Sequence, residues 1–224
     1  KRKQQQLLRY KFESFHKKNT SFSKVQYPSM NELYTAHLNY DIFIVGSDQV
    51  WNPWSNTSLD PYFLTFAPKG KKRISYASSF GVAELPLQAT DKYKNRLNDL
   101  DSISVRESSG LEIVQKLTGR MAEHVVDPTM LLTRSEWEQI AVKPPINEPY
   151  ILLYNVTKSD YATRFAKDLS NKRNLKIVKI CTEAVREDKN SLVLSIPDAG
   201  PAEFLGLFIK SSLIITNSFH GTVF

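Results

Sequence analysis

Four clusters of chemically active side chains each follow a predicted strand. They occupy residues 46–52, 78–81, 106–108 and 217–221. The carboxyl ends of parallel strands meet at one edge of a sheet, and open α/β folds bind their ligands there and between units. Their position at strand ends makes these clusters the candidates for a functional site.

Arg106 and His220 are the two side chains with the most direct chemical use. Arg106 comes just before a helix that opens at Ser108 or Ser109, so its planar fork and the helix N-terminus suit a carboxylate or phosphate. The alternative is a structural ion pair of Arg106 with Glu107 or Asp127. His220 can exchange a proton near neutral pH, although a hydrogen-bonded structural role is the common alternative for a lone histidine.

The other clusters carry weaker signals. Asp48 is a candidate base for a sugar hydroxyl and Trp51 a candidate platform for a sugar face, while Asp48 as a helix cap is the alternative. Ser78 and Ser79 offer hydroxyls to a phosphate, and the alternative for them is a tight exit from a strand. The Asp127–Pro128 pair is expected to fix a turn and not to touch a ligand.

The elements that must position these residues alternate between strand and helix. Strands are predicted near 41–45, 73–77, 103–105, 124–126, 150–154, 175–181 and 213–216. Helices are predicted between them, one capped by Ser159 and one beginning at Pro201. Three prolines in residues 143–149 indicate a linker. We therefore predict two α/β units with mainly parallel sheets, 1–142 and 150–224.

The composition of the chain excludes several classes of protein and site. Hydrophobic residues make up 41% of the 224 residues, so disorder of the whole chain is excluded. The single cysteine, Cys181, excludes an intrachain disulfide and a multi-cysteine zinc site, and the formal charge is +7. The charge favours anionic partners such as phosphorylated metabolites, acidic lipid surfaces or nucleic acid. The basic run 69–73 lacks interleaved aromatic residues, so nucleic acid is not expected. No metal site is predicted, and a cytoplasmic location is the default.

Five segments together resemble the polysaccharide pyruvyl transferase family. They are DIFIVGSDQVWN at 41–52, ISYASSFG at 74–81, SVRE at 104–107, VDPTMLL at 126–132 and TNSFHG at 216–221. Their shared order and spacing extend over most of the chain, from residue 41 to residue 224. Relative to the family pattern, the first strand of unit 1–142 is missing and unit 150–224 is truncated, so the chain is interpreted as a fragment cut at both ends.

The resemblance implies a fold and a reaction. The fold would be two Rossmann-like units facing each other across a cleft, as in the two-domain GT-B glycosyltransferases. The reaction would transfer the enolpyruvyl group of phosphoenolpyruvate onto a sugar of a cell-surface polysaccharide such as an exopolysaccharide, or onto its precursor. A pyruvate ketal and phosphate would result, and no cofactor would be needed. The acceptor would be a sugar or lipid-linked oligosaccharide, with peripheral association at the inner membrane face kept open.

The resemblance associates Arg106 and His220 with the donor, and the chemistry of the neighbouring residues completes the set of candidates. His220 and Asp48 are the expected catalytic residues. Donor binding is expected from Arg106, Ser78, Ser79, Ser218 and Asn217, and acceptor binding from Trp51 and Gln49. Two alternatives stay open at this point: a nucleotide-sugar glycosyltransferase of GT-B type and a non-catalytic sugar-binding member of the family.

Overall fold

The computed structural model describes residues 2–55, 59–181 and 192–224. Its helices are α1 Arg2–Asn19, α2 Met30–Thr35, α3 Thr90–Asn98, α4 Ser108–Thr118, α5 Arg134–Ile140, α6 Asp160–Arg173, α7 Pro201–Lys210 and α8 Phe219–Val223. Its strands are β1 Ile42–Val45, β2 Lys72–Ser75, β3 Ser104–Val105, β4 Glu123–His124, β5 Tyr150–Tyr154, β6 Lys176–Ile180, β7 Val193–Ile196 and β8 Leu213–Thr216.

The chain divides into two compact units, and each has its own parallel sheet structure. One unit is Ser23–Leu131, and the other combines Lys1–Phe22 with Leu132–Phe224. The ladders between β1 and β2, between β3 and β4, and within the sheet β7-β6-β5-β8 are all parallel. The predicted mixed α/β class with parallel sheets fits this architecture. The predicted linker 143–149 lies within the second unit, and the predicted domain limits stay a prediction.

Two serines join the short ladders of unit Ser23–Leu131. Ser104 donates from its backbone nitrogen to the Ser75 hydroxyl at 2.9 Å, and its own hydroxyl donates to the Ser75 carbonyl at 2.8 Å. Both serines are buried, and a parallel bridge pairs Ser78 with Val105. Side-chain hydrogen bonds thus supplement the backbone bridges between these segments, and they satisfy buried polar groups.

The core of this unit contains a group of aromatic rings. Trp51 stacks on Phe63 with ring centroids 5.2 Å apart and planes 2° apart, and Tyr93 meets Phe63 edge-on. Tyr93 donates its hydroxyl to the Trp51 carbonyl at 2.8 Å, which satisfies the polar tip of a buried ring. Burial raises the pKa of Tyr93 above its ordinary value. The loop after β1 is therefore anchored in the core.

The sheet of the other unit is built around β5. Residues 150–153 of this strand are buried, as expected for the central strand of a parallel sheet covered on both faces. Ser159 caps α6 by accepting from the Ala162 backbone nitrogen, and α7 begins at Pro201, so both predicted helix starts are confirmed. Burial raises the pKa of Tyr150 to about 12.

Several sequence predictions about individual elements were wrong. The helical spacing of Tyr161, Ala162, Phe165, Ala166 and Leu169 predicts one apolar face of α6 against the core. The buried residues of α6 are instead Ala162, Ala166 and Ser170, and the rings of Tyr161 and Phe165 are exposed. The continuous apolar run 42–45 predicts a strand buried throughout, but β1 buries alternate residues only, and Ile42 and Ile44 lie exposed. Elements α5, β7 and α8 were not predicted. Among the residues that the structure describes, none of the helices has the length and apolar character needed to span a bilayer.

We predict that Gly46→Ala is much more destabilising than an ordinary substitution at positive φ. A Cβ at Gly46, which has φ +138°, would lie 1.8 Å from the Tyr76 carbonyl oxygen. The matched control is Gly119→Ala, because Gly119 has φ +70° and nothing within 4 Å of an added Cβ. We expect a loss of about 3 kcal/mol or more for Gly46→Ala and about 1–2 kcal/mol for the control. Urea unfolding followed by circular dichroism measures both; equal losses would contradict the prediction.

Candidate functional site

The carboxyl ends of β1, β3 and β4 bring Arg106 into a network of carboxylates. Its Nη1 donates to Asp127 Oδ2 at 2.8 Å, and its Nη2 donates to Asp48 Oδ1 at 3.0 Å. Glu107 Oε2 lies 3.9 Å from Arg106 Nε. The Arg106 side chain is only 5% exposed. The guanidinium is therefore a buried cation with carboxylates on several sides.

Strand register explains why residues distant in sequence meet here. β3 and β4 pair in parallel with Val105 opposite His124, and the Val125 backbone nitrogen donates to the Val105 carbonyl at 3.0 Å. The chain segments that leave both strands are therefore adjacent, and Arg106 and Asp127 lie on them. Gly46 brings the exit from β1 close to the Tyr76 backbone, and Ser47 and Asp48 follow.

Asp127 is the most strongly held carboxylate of the network. Its Oδ2 accepts from Arg106 and from the Ser47 hydroxyl at 2.8 Å each. Its Oδ1 accepts from the backbone nitrogen and hydroxyl of Thr129, at 3.0 and 2.8 Å. Burial opposes its ionisation, but the hydrogen bonds from Thr129, Arg106 and Ser47 outweigh burial and lower the pKa of Asp127 to about 2. Asp127 is a fixed anion.

Asp48, in contrast to Asp127, lies at the surface. Its side chain is 69% exposed, and its backbone has φ +64°. Its backbone carbonyl accepts from Ser79 at 2.9 Å, which ties the loop to the exit from β2. The alternative role as a helix cap is not seen, because residues 49–55 contain turns and no helix. Asp48 thus presents a carboxylate at the rim of the Arg106 network.

His220 lies in the other unit, in the first turn of α8. Ser218 caps this helix, because its hydroxyl accepts from the Gly221 backbone nitrogen at 3.1 Å. A Cβ on Gly221 would lie 2.5 Å from Thr216 Oγ1, so the turn packs closely against the end of β8. The His220 side chain is partly buried and its ring meets that of Phe219 edge-on. The strand end, the cap and the glycine together fix its position.

Comparison of the chain with known protein families gave a match. The model of the polysaccharide pyruvyl transferase family matches residues 4–224, nearly the whole chain. This chain belongs to the polysaccharide pyruvyl transferase family. Membership implies a pyruvyl transferase activity in general and an acceptor that is a sugar or polysaccharide. The comparison with curated proteins gave no match.

Three roles expected for this family member do not fit the placement of their residues. Trp51 was expected to stack on a sugar, but it is fully buried between Phe63 and Phe80, and its Nε1 donates to the Tyr62 carbonyl at 2.9 Å. Ser78 and Ser79 were expected to bind the donor, but both are buried. Both serines fit the alternative, a tight exit from a strand, because this segment packs in the core.

The hydrogen bonds of these serines join groups of the same unit. Ser78 donates from its backbone nitrogen to the Ser104 carbonyl at 3.2 Å, and Ser79 accepts at its hydroxyl from Gly81 at 3.1 Å. Gln49, by contrast, is exposed and accepts from Asn52 Nδ2 at 2.8 Å. Gln49 therefore keeps the solvent access that an acceptor contact requires.

Asn217 and Ser218 bind the backbone of their own unit. The Asn217 side chain accepts from the Val156 backbone nitrogen at 2.9 Å and donates to the Thr157 carbonyl at 2.8 Å. It thereby joins the loop after β5 to the loop after β8. Ser218 is buried and caps α8. Both residues position this strand edge, and the donor contacts expected of them stay a prediction.

The sequence left the anchoring role of Asp127 open as one alternative and gave no sign of the participation of Ser47 and Thr129. Asp127 was expected only to fix a turn, and its bonds to Thr129 confirm that turn, but its other oxygen holds Arg106. The ion pair of Arg106 with Asp127 was one of the open alternatives, and it is confirmed. The signal was available, since a carboxylate after one strand and an arginine after its neighbour are expected to meet at the same edge.

Within ranges 2–55, 59–181 and 192–224, no group of three or more His, Cys, Asp or Glu side chains could hold a metal ion. Run 69–73 lines a cavity of about 310 Å³ with Asp99 and Asp101. There Lys71 pairs with Asp41, and Asp101 accepts from the Arg73 backbone nitrogen.

We predict that Asp127→Asn destabilises the protein at neutral pH by about 3 kcal/mol, because it breaks a buried ion pair. The pKa of Asp127 is lowered from 3.8 to about 2, so its ionised form stabilises the fold fully above about pH 4. This contribution, about 2 kcal/mol, is lost as the pH falls through 2. The difference between wild type and variant should therefore shrink between pH 4 and pH 2.

Urea unfolding at several pH values measures this difference in the free energy of unfolding. Asp168→Asn, at an exposed position on α6, is the control and should show a small and constant difference. A difference for Asp127→Asn that stays constant between pH 4 and pH 2 would contradict the prediction.

We also predict that Ser218→Ala lowers the free energy of unfolding by about 1 kcal/mol, because α8 loses its cap. Ser218→Thr keeps a hydroxyl that can accept from Gly221 and should recover most of the loss. Thermal and urea unfolding of both variants checks this. Equal losses in the two variants would show that burial of the side chain, and not the cap, decides the effect.

Proposed function

We propose that this family member transfers the enolpyruvyl group of phosphoenolpyruvate to two hydroxyls of one sugar, which forms a pyruvate ketal and releases phosphate. The observation that carries the proposal is the buried pair of Arg106 and Asp127 at a strand edge, with exposed Asp48 on the outer guanidinium nitrogen. The family match over residues 4–224 supports the same reaction class.

The donor would be bound through its negative charges. Phosphoenolpyruvate carries a carboxylate and a phosphate, and a guanidinium binds either group with two parallel hydrogen bonds. Asp127 fixes the plane of the Arg106 guanidinium, so its outward N–H groups point in a set direction. A fixed fork loses little conformational entropy when an anion binds to it.

The proton steps follow from the donor's structure. Protonated His220 would give its proton to the methylene carbon, and the resulting oxocarbenium-like carbon would be attacked by the first sugar hydroxyl. Asp48 would accept that hydroxyl's proton. The phosphate would then leave, and the second hydroxyl would close the ketal. Of the two hydroxyl protons, one replaces the proton given by His220 and the other leaves with the phosphate as hydrogen phosphate.

The remaining expectations belong to the same proposal. Gln49, which is exposed beside Asp48, is the proposed acceptor contact. The acceptor is a sugar of a cell-surface polysaccharide precursor, free or lipid-linked, and the reaction takes place in the cytoplasm or at the inner membrane face. No cofactor is needed, and the fold of the two units is of the GT-B kind.

The test compares donor binding in the full-length protein and in Arg106→Lys, which keeps the charge but loses the fork. Calorimetric titration with phosphoenolpyruvate should show saturable binding by the wild type and binding at least about tenfold weaker by the variant. Arg134→Lys is the control, since Arg134 forms an exposed pair with Glu138 on a helix. Its affinity for the donor should be unchanged.

The same titration with nucleotide sugars tests the main rival. Binding of a nucleotide sugar without binding of phosphoenolpyruvate would overturn the proposal and support a glycosyltransferase.

Activity is then followed as phosphate release with a panel of sugar acceptors. His220→Gln should bind the donor and release no phosphate; full activity in this variant would remove His220 from the mechanism.

A further inference from the structure

The two carboxylates on the Arg106 guanidinium are held very differently. Asp127, on Nη1, is 1% exposed and accepts three further hydrogen bonds from Ser47 and Thr129. Asp48, on Nη2, is 69% exposed. The pair of Arg106 with Asp127 is thus fixed on all sides, whereas the pair with Asp48 faces solvent.

The third carboxylate near the guanidinium is also anchored. Glu107 Oε1 accepts from the Phe80 backbone nitrogen at 2.8 Å, and its Oε2 is 3.9 Å from Arg106 Nε. The Glu107 side chain is 26% exposed. Of the three carboxylates, Asp48 therefore has the greatest exposure and can leave the guanidinium at the smallest cost, because solvent already hydrates it.

An incoming anion cannot simply be added to this network. Three carboxylates already surround one guanidinium, so the cluster is formally negative when they are ionised. A further carboxylate or phosphate next to Nη2 would repel Asp48 at short range. Rotation of the Asp48 side chain removes that repulsion, and the backbone can stay in place because its carbonyl is held by Ser79.

We infer that Asp48 is an exchangeable counter-ion that couples donor binding to base release. The inference rests on the proposed function. The anionic donor replaces Asp48 on Arg106 Nη2, and the displaced carboxylate becomes the base for the acceptor hydroxyl. Before the donor arrives, one Asp48 oxygen is engaged by the guanidinium, so its lone pair is less available to a hydroxyl. Donor binding therefore precedes activation of the acceptor.

The exchange predicts a change in donor affinity that is opposite to the change expected from a disrupted site. Removal of the Asp48 carboxylate removes a competitor for Arg106, so Asp48→Ala and Asp48→Asn should bind phosphoenolpyruvate about two- to fivefold more tightly than the wild type. Both should lose phosphate release in the presence of an acceptor. Disruption of the site would instead weaken donor binding, so tighter binding with lost transfer is specific to an exchangeable base.

The control separates local exchange from a general change in charge. Asp41→Ala also removes an exposed carboxylate from an ion pair, here with Lys71 at 2.8 Å, but at the opposite end of β1. It should leave donor affinity unchanged. If Asp41→Ala tightens binding as much as Asp48→Ala does, the effect is overall charge and the inference is overturned.

Calorimetric titration of the full-length wild type and variants with phosphoenolpyruvate decides the matter. Tighter binding by the Asp48 variants alone supports the exchange. Donor affinity that is unchanged or weaker in these variants, with normal binding by the wild type, overturns the exchange and leaves the proposed function standing. Absence of binding by the wild type overturns the proposed function, and the exchange falls with it.

Discussion

A buried ion pair between Arg106 and Asp127 is the constraint on which the site depends. Removal of two charges from water is expensive, and their attraction compensates only when further hydrogen bonds satisfy the remaining polar atoms. Ser47 and Thr129 supply those bonds to Asp127. The pair thus requires the ends of β1, β3 and β4 to be held together, and it makes these strand exits one structural unit.

The way in which the strands are joined follows from the same need. The exit from β1 passes close to the Tyr76 backbone, a path that only glycine at position 46 permits. Ser75 and Ser104 link two short ladders through their hydroxyls, and Trp51 anchors the loop after β1 in the aromatic core. These contacts lie behind the functional residues. They explain why polar and aromatic residues of the recognisable segments are buried and do not face a ligand.

The sequence was informative where local chemistry decides the structure. Strand 150–154, the cap at Ser159 and the helix start at Pro201 were predicted correctly, because periodicity, capping and proline act over a few residues. The meeting of Arg106 with a carboxylate was also within reach, since both follow strands. Burial was harder to predict, because it depends on packing between distant segments.

The candidate site shows how hard burial is to predict, because Trp51, Ser78 and Ser79 are all buried. The same residue types at a strand exit can bind a ligand or fill the core, and composition alone does not separate the two. Helix α6 shows it for the fold, because aromatic residues and alanines both recur at helical spacing, yet only the alanines are buried. The residues of β7 and α8 form elements of four and five residues, too short for a clear periodic signal.

The two carboxylates that bind Arg106 differ in burial, and this difference lets the guanidinium keep its orientation and still accept a ligand. A guanidinium whose Nη1 and Nη2 both bound fixed carboxylates would be a structural cation with no affinity left for a ligand, and one whose Nη1 and Nη2 both bound mobile carboxylates would lack a defined orientation. Asp127 supplies orientation because it is buried and multiply bonded, and Asp48 supplies access because it is exposed. An anion can therefore bind to a cation that is already aligned. The side chain that gives way is a carboxylate at the same strand edge, which is the group required to accept a hydroxyl proton.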